Sequence, residues 1–352
     1  MPLTLSRLGA EQLTGGEPAA AWDGYCARHP AATPYHLCAW GRAVATALGH
    51  EPHYLYSQDA GRVTGVLPLF LRRSRLFGTN LVSVPAANVG GPLADDDATA
   101  LRLVQAAVAL AGEQNVDFLE LRDAPPGSPA ASALRLDEGR YATVVIDLDE
   151  GEAAAWNRLS RGIRRRVRRA QDAGLVVDLH GELTAFHAVY SATMKRLGSP
   201  PFAARFFAEL AAGFGEALQV GVARLGSRVA AVDLMVSFNG VRYSVFAGST
   251  ADLWHVYPNQ LLLWEEIRDA CAMGLARFDL GRSLVASGSH EFKSAWGGRT
   301  LPLTYGYHLH RARHLPVRTP DMPVYRALGR VWSLLPDRVV AAVGPRIVRH
   351  LF

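Results

Sequence analysis

The chain has 352 residues, of which 49% are hydrophobic and 20% charged, with a formal charge of +5. That is the make-up of a soluble globular protein long enough for two cores of ordinary domain size, and it excludes a disordered or fibrous chain. Cys26, Cys38 and Cys271 are odd in number, widely separated and without metal-ligand spacing. No basic-then-apolar leader opens the chain and no apolar run is long enough to span a bilayer, so reduced thiols in a cytoplasmic setting are expected, without export.

Taken in chain order, the first half reads as strands and one helix. From His53 come HYLYS, a DAGR turn, VTGVLPLFLRR and NLVSVP, then a helix near Thr99 to Glu113, then VDFLELRD. A proline-rich loop, DAPPGSPAA, follows. The next segment, NRLSRGIRRRVRRAQ, carries seven arginines with no acid between Glu152 and Asp172. Its Trp156, Leu159, Ile163, Val167 and Ala170 recur at helical spacing before Gly174, which predicts one amphipathic helix. Like charges at i,i+4 destabilise an isolated helix, so Arg161, Arg164, Arg165 and Arg168 are candidates for binding an anion, against the plain alternative of a solvated polar face.

The second half repeats the order of the first. LQVGVARL, a GSR turn, VAAVDLMVSF, the hairpin signal Asn239-Gly240, VRYSVFAGS, a helix from about Asn259 to Met273, and ARFDLGRS form a second β-β-β-α-β unit. The expected fold class is therefore a duplicated α/β (α+β) fold with mixed, mostly antiparallel sheets flanked by helices. The expected division is 1–150, a basic linker helix 151–174, 175–310 holding the reaction site, and a basic tail 311–352. That tail carries eight arginines against Asp321 and Asp337. It reads either as a terminal helix packed on the domain, broken at Pro336 and Pro345, or as a peripheral membrane anchor built on Trp332, Leu334, Leu335 and Phe352.

Hydrolytic and nucleotide motifs are absent: the chain has no phosphate loop, no G-x-G-x-x-G, no G-x-S-x-G and no C-x-x-C, and His290-Glu291 lacks the second histidine of a zinc helix. The candidate chemistry sits late. In RFDLGRS (277–283) the period of two puts Asp279 on the face opposite Phe278 and Leu280, with Arg282 leaving the strand end where open α/β sheets bind ligands. In GSHEFKSAWGG (288–298) a cap at Ser289 would let Phe292 and Trp296 bury together, with His290 and Lys293 facing outward as base and point charge. Pro258 sets the first turn of the preceding helix, whose N-terminus, lined by Tyr257, Asn259 and Gln260, can accept an anion or a carbonyl.

The ordered set MKRLGSPPF (194–202), YPNQLLLWEEIRDA (257–270), RFDLGRS and GSHEFKSAWGG resembles the FemAB-like branch of the GNAT superfamily, nearest to the FemAB-related proteins of PEP-CTERM and exopolysaccharide systems, over roughly residues 35 to 310. The resemblance implies tandem GNAT-like domains and transfer of an acyl or aminoacyl group to an amine, on a cell-envelope precursor, an amino sugar or a small molecule. It implies no tightly bound cofactor or metal, with aminoacyl-tRNA or acyl-CoA as co-substrate. It also implies that Phe292-Lys293 lies at the reaction site, Lys293 stabilising the ester carbonyl or binding phosphate, and that Asp279 and Arg282, beside Ser283, shape the acceptor groove. Two features depart from the pattern: the long coiled coil of some Fem proteins is missing, and HVYPNQ stands where ordinary GNAT enzymes have a glycine loop for CoA. The expected mechanism is direct attack by the amine, with Lys293 or the helix end at Asn259 facing the oxyanion and His290 or Asp279 taking the proton. A non-catalytic adaptor of exopolysaccharide machinery at the membrane is the alternative from another class.

Overall fold

The computed structural model describes residues 4–74, 77–316 and 323–351, the last range with side chains from residue 328 onward. Arg318, Asp321 and Phe352, and the side chain of Arg326, which entered the reading of the tail, lie outside the described residues. The chain forms two compact units, one of Met1–Tyr141, Pro302–Val317 and Arg349–Phe352, the other of Ala142–Leu301 and Arg318–Val348. Residues 302–310, read from the sequence with the second half, thus belong to the first unit.

The first unit runs β1 (Thr4–Leu8), α1 (Glu17–Arg28), α2 (Cys38–Leu48), β2 (Glu51–Pro52), β3 (Tyr54–Asp59), β4 (Arg62–Leu67), β5 (Phe70–Ser74), β6 (Gly78–Val82), β7 (Leu93–Ala94), α3 (Asp97–Glu113) and β8 (Phe118–Arg122). The DAGR turn forms as expected, with Ala60 and Gly61 both at positive φ. VTGVLPLFLRR is not one strand. Pro68 has no N–H to give a ladder, and the chain changes sheets there: β4 joins the antiparallel sheet β1-β3-β4-β7, whereas β5 pairs with β2 and β6. Asp96 caps α3 by accepting from the Thr99 backbone N–H at 2.7 Å, which starts the helix two residues before the expected Thr99. Leu103, Val104, Ala107 and Leu110 of α3 then bury with Leu81, Leu119 and Leu121.

The second unit takes up β9 (Arg135–Asp147) at Ala142 and continues with α4 (Gly151–Arg158), α5 (Arg161–Asp172), β10 (Leu175–Asp178), α6 (Leu183–Arg196), α7 (Ala204–Phe214), β11 (Leu218–Leu225), β12 (Arg228–Phe238), β13 (Val241–Ser249), α8 (Pro258–Ala272), β14 (Arg277–Asp279), β15 (Ser283–Leu284), α9 (Gly288–Ser294), β16 (Arg299–Leu309), α10 (Pro323–Leu334) and α11 (Asp337–Leu351). The later part of β16 pairs antiparallel with β8 within the first unit. Here β10-β11-β12-β13 is an antiparallel run, β14 lies parallel to β13, and β9 closes antiparallel on β14. The Asn239-Gly240 hairpin is present, both residues at positive φ.

Helices cover both faces of this sheet. Gly221, Asp233 and Ala247 are register partners across three strands and share a face. A Cβ on Gly221 would meet Glu266 and Leu262 of α8, whereas one on Gly248 would meet Tyr190 and Thr193 of α6. So α8 lies on the Asp233 face and α6 on the other, where Tyr190, Phe202, Phe206, Phe207 and Phe246 pack ring against ring. The α8 face holds the larger core, which gathers Ile163, Val167, Met235, Leu261, Leu262, Trp264, Ile267, Phe278 and Trp296.

The basic segment is two helices instead of the one expected. Leu159 is extended, and Ser160 restarts the chain as N-cap of α5, its Oγ accepting from the Ile163 N–H at 3.2 Å. A serine that can hydrogen-bond the backbone locally favours such a restart over continuing the helix. Gly174, at φ +80°, ends α5 as expected. In the tail, Pro336 separates α10 from α11, but Pro345 sits inside α11 without ending it. Trp332 is buried and Gly344 packs on Pro201, so the two helices dock on the second unit.

Candidate functional site

Three local features converge at the end of β13. First, β13 pairs with β14 only from Val241 to Tyr243, so from Ser244 onward that edge has no strand beside it among the described residues. Second, the β12–β13 register slips, Leu234 facing Phe246 and Met235 facing Ser244, which leaves Val245 as a bulge at the start of the open edge. Third, α8 begins close by: Asn259 Nδ2 donates to Ser249 Oγ at 3.4 Å. Tyr257 caps α8 at φ +59°, a left-handed conformation unusual for a bulky residue, and Pro258 follows at the first helical position as the sequence predicts. Pro258 has no N–H, and the Gln260 and Leu261 N–H groups donate to the Tyr257 carbonyl, so the Asn259 N–H is the donor left in that first turn; with the helix dipole it favours a negative or carbonyl oxygen there.

On the other side of the open edge, β14 ends in Asp279. Its carboxylate accepts from Thr143 Oγ1 of β9 and from the backbone N–H of Gly281 at 2.7 Å. Burial pushes its pKa up, against the pull of those two hydrogen bonds and of Lys293. Lys293 reaches in from α9 and donates from Nζ to the carbonyls of Gly281 at 2.9 Å and Arg282 at 3.1 Å. It is turned inward, a correction to the outward orientation expected of it. Desolvation lowers its pKa to about 8, and the charges of Asp279 and Asp233 act in the opposite sense.

The turn of α9 also differs in its cap. Ser287 is the N-cap, accepting from the His290 N–H at 3.3 Å, while Ser289 Oγ lies 3.2 Å from Ser283 Oγ. Phe292 and Trp296 meet edge to face at 6.2 Å between centroids, as the i,i+4 spacing predicts, and Trp296 is buried in the core. His290 is held in its own loop, Nδ1 accepting from the Ala286 N–H at 3.4 Å. Ser283 is buried, Arg282 and Gln260 are half-buried.

Several groups on the α8 face escaped the sequence reading. Asp233 of β12 is buried and accepts from Ser244 Oγ at 2.6 Å, its other oxygen having no partner. Burial raises its pKa to about 7 despite Ser244 and Lys293. Glu266 of α8, also buried, is held far above the ordinary carboxylate range by burial and by Asp233. Arg242, fully buried, donates to Asp269 at 2.7 Å, Gln219 at 2.5 Å and the Glu266 carbonyl at 3.2 Å, tying β13 to α8. One signal was available: a lone aspartate inside VAAVDLMVSF, where a central strand otherwise excludes charge.

The arginines of α5 sit beside the start of α8. Arg166, not among the predicted anion-binding residues, stacks over the Tyr257 ring at 5.9 Å. Arg168 is instead drawn to Trp156 of α4 at 5.7 Å. Arg161 and Arg165 are exposed and Arg164 half-buried, and none of the α5 arginines has an acidic partner among the described residues. Separately, in the first unit, a cleft of about 280 Å³ is lined by Asp123, Glu138 and Thr304, and burial raises the Asp123 pKa to about 6.

Residues 157–294 match the acetyltransferase (GNAT) domain family. Among solved structures, the chain is similar to FemX, with a TM-score of 0.67 at 13% identity over 90% of this chain and 99% of that one. It is also similar to a tandem GNAT protein from the clavulanic acid biosynthesis pathway, with a TM-score of 0.53 at 13% identity over 88% and 99%. A third likeness is to a conserved protein of unknown function from Bacteroides thetaiotaomicron, with a TM-score of 0.55 at 9% identity over 83% and 97%. No curated protein matches the sequence.

Proposed function

We propose that this chain, which carries a GNAT acetyltransferase domain on a fold shared with FemX, is an N-acyltransferase that moves an acyl or aminoacyl group from an activated carrier to an amine. The observation that carries the reading is the open edge of β13, with the first turn of α8 on one side and Lys293 and Asp279 on the other. An extended carrier arm can lie along that edge and satisfy its free backbone groups, as an added strand would. Its phosphates would then meet the start of α8 and Arg161, Arg164, Arg165 and Arg166, with Arg168 behind them on Trp156.

The neutral amine attacks the ester or thioester carbon, forming the C–N bond and a tetrahedral oxyanion. Lys293 spends two of its three N–H groups on the Gly281 and Arg282 carbonyls, leaving one for that oxyanion, and the Asn259 N–H at the α8 end is a second donor. One such donor is worth about 10²- to 10³-fold in rate. Asp279 accepts the amine proton, with His290 as the second candidate; the intermediate then collapses, the C–O or C–S bond breaks, and the carrier leaves with a proton. The acceptor class is an amine on a cell-envelope precursor, an amino sugar or a small molecule, and Arg282, Ser283, Phe292, Tyr257 and Gln260 line its approach.

Two carriers fit the reading, acyl-CoA and aminoacyl-tRNA. Titration calorimetry with acetyl-CoA and longer acyl-CoAs, beside filter binding of aminoacylated tRNA, separates them. Binding of one, followed by transfer to an added amine, is the expected result. Failure of both carriers to bind overturns the assignment.

A further inference from the structure

The docked tail leaves an apolar stripe in solvent. On α10, Leu328, Val331 and Leu334 are 60%, 62% and 83% exposed, and their spacing of three keeps them along one side of the helix. Trp332, one of the four residues on which the anchor reading is built, faces the other way into the protein. Gly329 packs against Gly198 at the end of α6, which brings the 63%-exposed Leu197 beside the stripe. Val339 and Val343 of α11 are exposed as well.

The charge around the stripe has one sign. Arg330, Arg338 and Arg346 are exposed, and the single acid between residues 323 and 351, Asp337, is paired with Lys195 at 2.6 Å. Beside them Arg196 stacks on the exposed Trp254 at 4.5 Å. A second copy of this chain related by a twofold axis would meet the stripe with arginine against arginine and, among the described residues of α10 and α11, no unpaired acid to relieve them. An anionic bilayer meets both properties at once: its headgroups take the guanidinium groups while its acyl boundary takes the leucines.

We infer that α10, with Leu197 and the start of α11, is a peripheral binding surface for anionic lipid membranes. Apolar insertion and headgroup attraction both contribute, so binding requires negatively charged lipid and weakens with salt. This does not rest on the acyl-transfer reading, since none of these residues belongs to the proposed reaction site.

The test is flotation of the full chain with vesicles of phosphatidylcholine alone and of phosphatidylcholine with about 30% phosphatidylglycerol, an anionic headgroup. The wild type is expected to float only with the anionic vesicles. Leu328→Asp, Val331→Asp and Leu334→Asp together should lower the bound fraction at least about tenfold, with unchanged circular dichroism because all three side chains are already exposed. Arg330→Ala, Arg338→Ala and Arg346→Ala together should remove the preference for anionic lipid. A wild type that stays at the bottom with anionic vesicles, or an aspartate variant that floats as the wild type does, overturns the proposal. So does a dimer in light scattering that the aspartate variant dissociates in the absence of any vesicle binding.

Discussion

Lys293 donates from α9 to the carbonyl oxygen of Gly281, 2.9 Å away, across the turn that ends the strand carrying Asp279. A lysine that bonds backbone carbonyls is held in one place, so its remaining N–H has a fixed direction. Lys293→Met should keep the stem and its packing while removing the donor. We expect turnover of an acyl donor and amine to fall about 10²- to 10³-fold, with KM for the carrier changed much less and the melting temperature retained. Wild-type turnover in this variant would remove Lys293 from the mechanism.

The acid–base behaviour of the same residue gives a pH prediction. With two N–H groups held by the Gly281 and Arg282 carbonyls, the third, free for the oxyanion, exists only in the charged form, and desolvation brings the Lys293 pKa down to about 8. The charged form is therefore present below pH 8 and lost as pH rises through that value, so kcat/KM should decline on the alkaline side near pH 8. Lys293→Arg keeps its charge through the accessible range. In that variant the alkaline decline should disappear even where absolute activity is lower. An identical decline in both proteins would assign it to another group.

How much of this was legible beforehand depends on how local each cause is. The Asn239-Gly240 and DAGR turns, the start of α8 at Pro258 and the Phe292–Trp296 contact follow from spacing and turn chemistry within a few residues, and they were readable. The cap of α9 was not, because Ser287 and Ser289 are equally good caps in isolation, and the choice rests on Ser289 meeting Ser283 across the turn. The split at Pro68 was signalled by the proline, but the move of β5 to a different sheet depends on long-range pairing with β2 and β6. Asp233, Arg242 and Glu266 come together from two strands and a helix, a convergence that no sequence period encodes.

That buried cluster makes stability depend on pH. Burial raises the pKa of Asp233 in the folded chain to about 7 from an ordinary 3.8. Its contribution is fully present below the unfolded value and is lost as pH rises from 3.8 through about 7, because the unfolded chain ionises freely while the folded one resists. Asp233→Asn cannot ionise and keeps an acceptor for Ser244. The variant should therefore gain on the wild type between pH 4.5 and pH 8, by an amount on the order of a few kcal/mol, read as the difference in urea midpoints at the two values. A difference independent of pH would mean that Asp233 does not titrate in this range.

The glycine pair that follows Trp296 gives a prediction linking packing to the site. A Cβ on Gly298 would lie 2.7 Å from the Val145 carbonyl oxygen and 2.8 Å from Val144 Cγ1, so β9 itself has to move. Val145 is the register partner of Asp279 and Thr143 is its hydrogen-bond donor, which means that the shift reaches the carboxylate directly. Gly298→Ala is expected to cost about 1–3 kcal/mol of stability and to lower turnover. Gly288→Ala is the control: nothing lies within 4 Å of its added Cβ, and a change within about 0.5 kcal/mol is expected there. Equal denaturation midpoints for the two variants would show that β9 yields to the methyl group, and the coupling of Gly298 to Asp279 through Val145 would then be wrong.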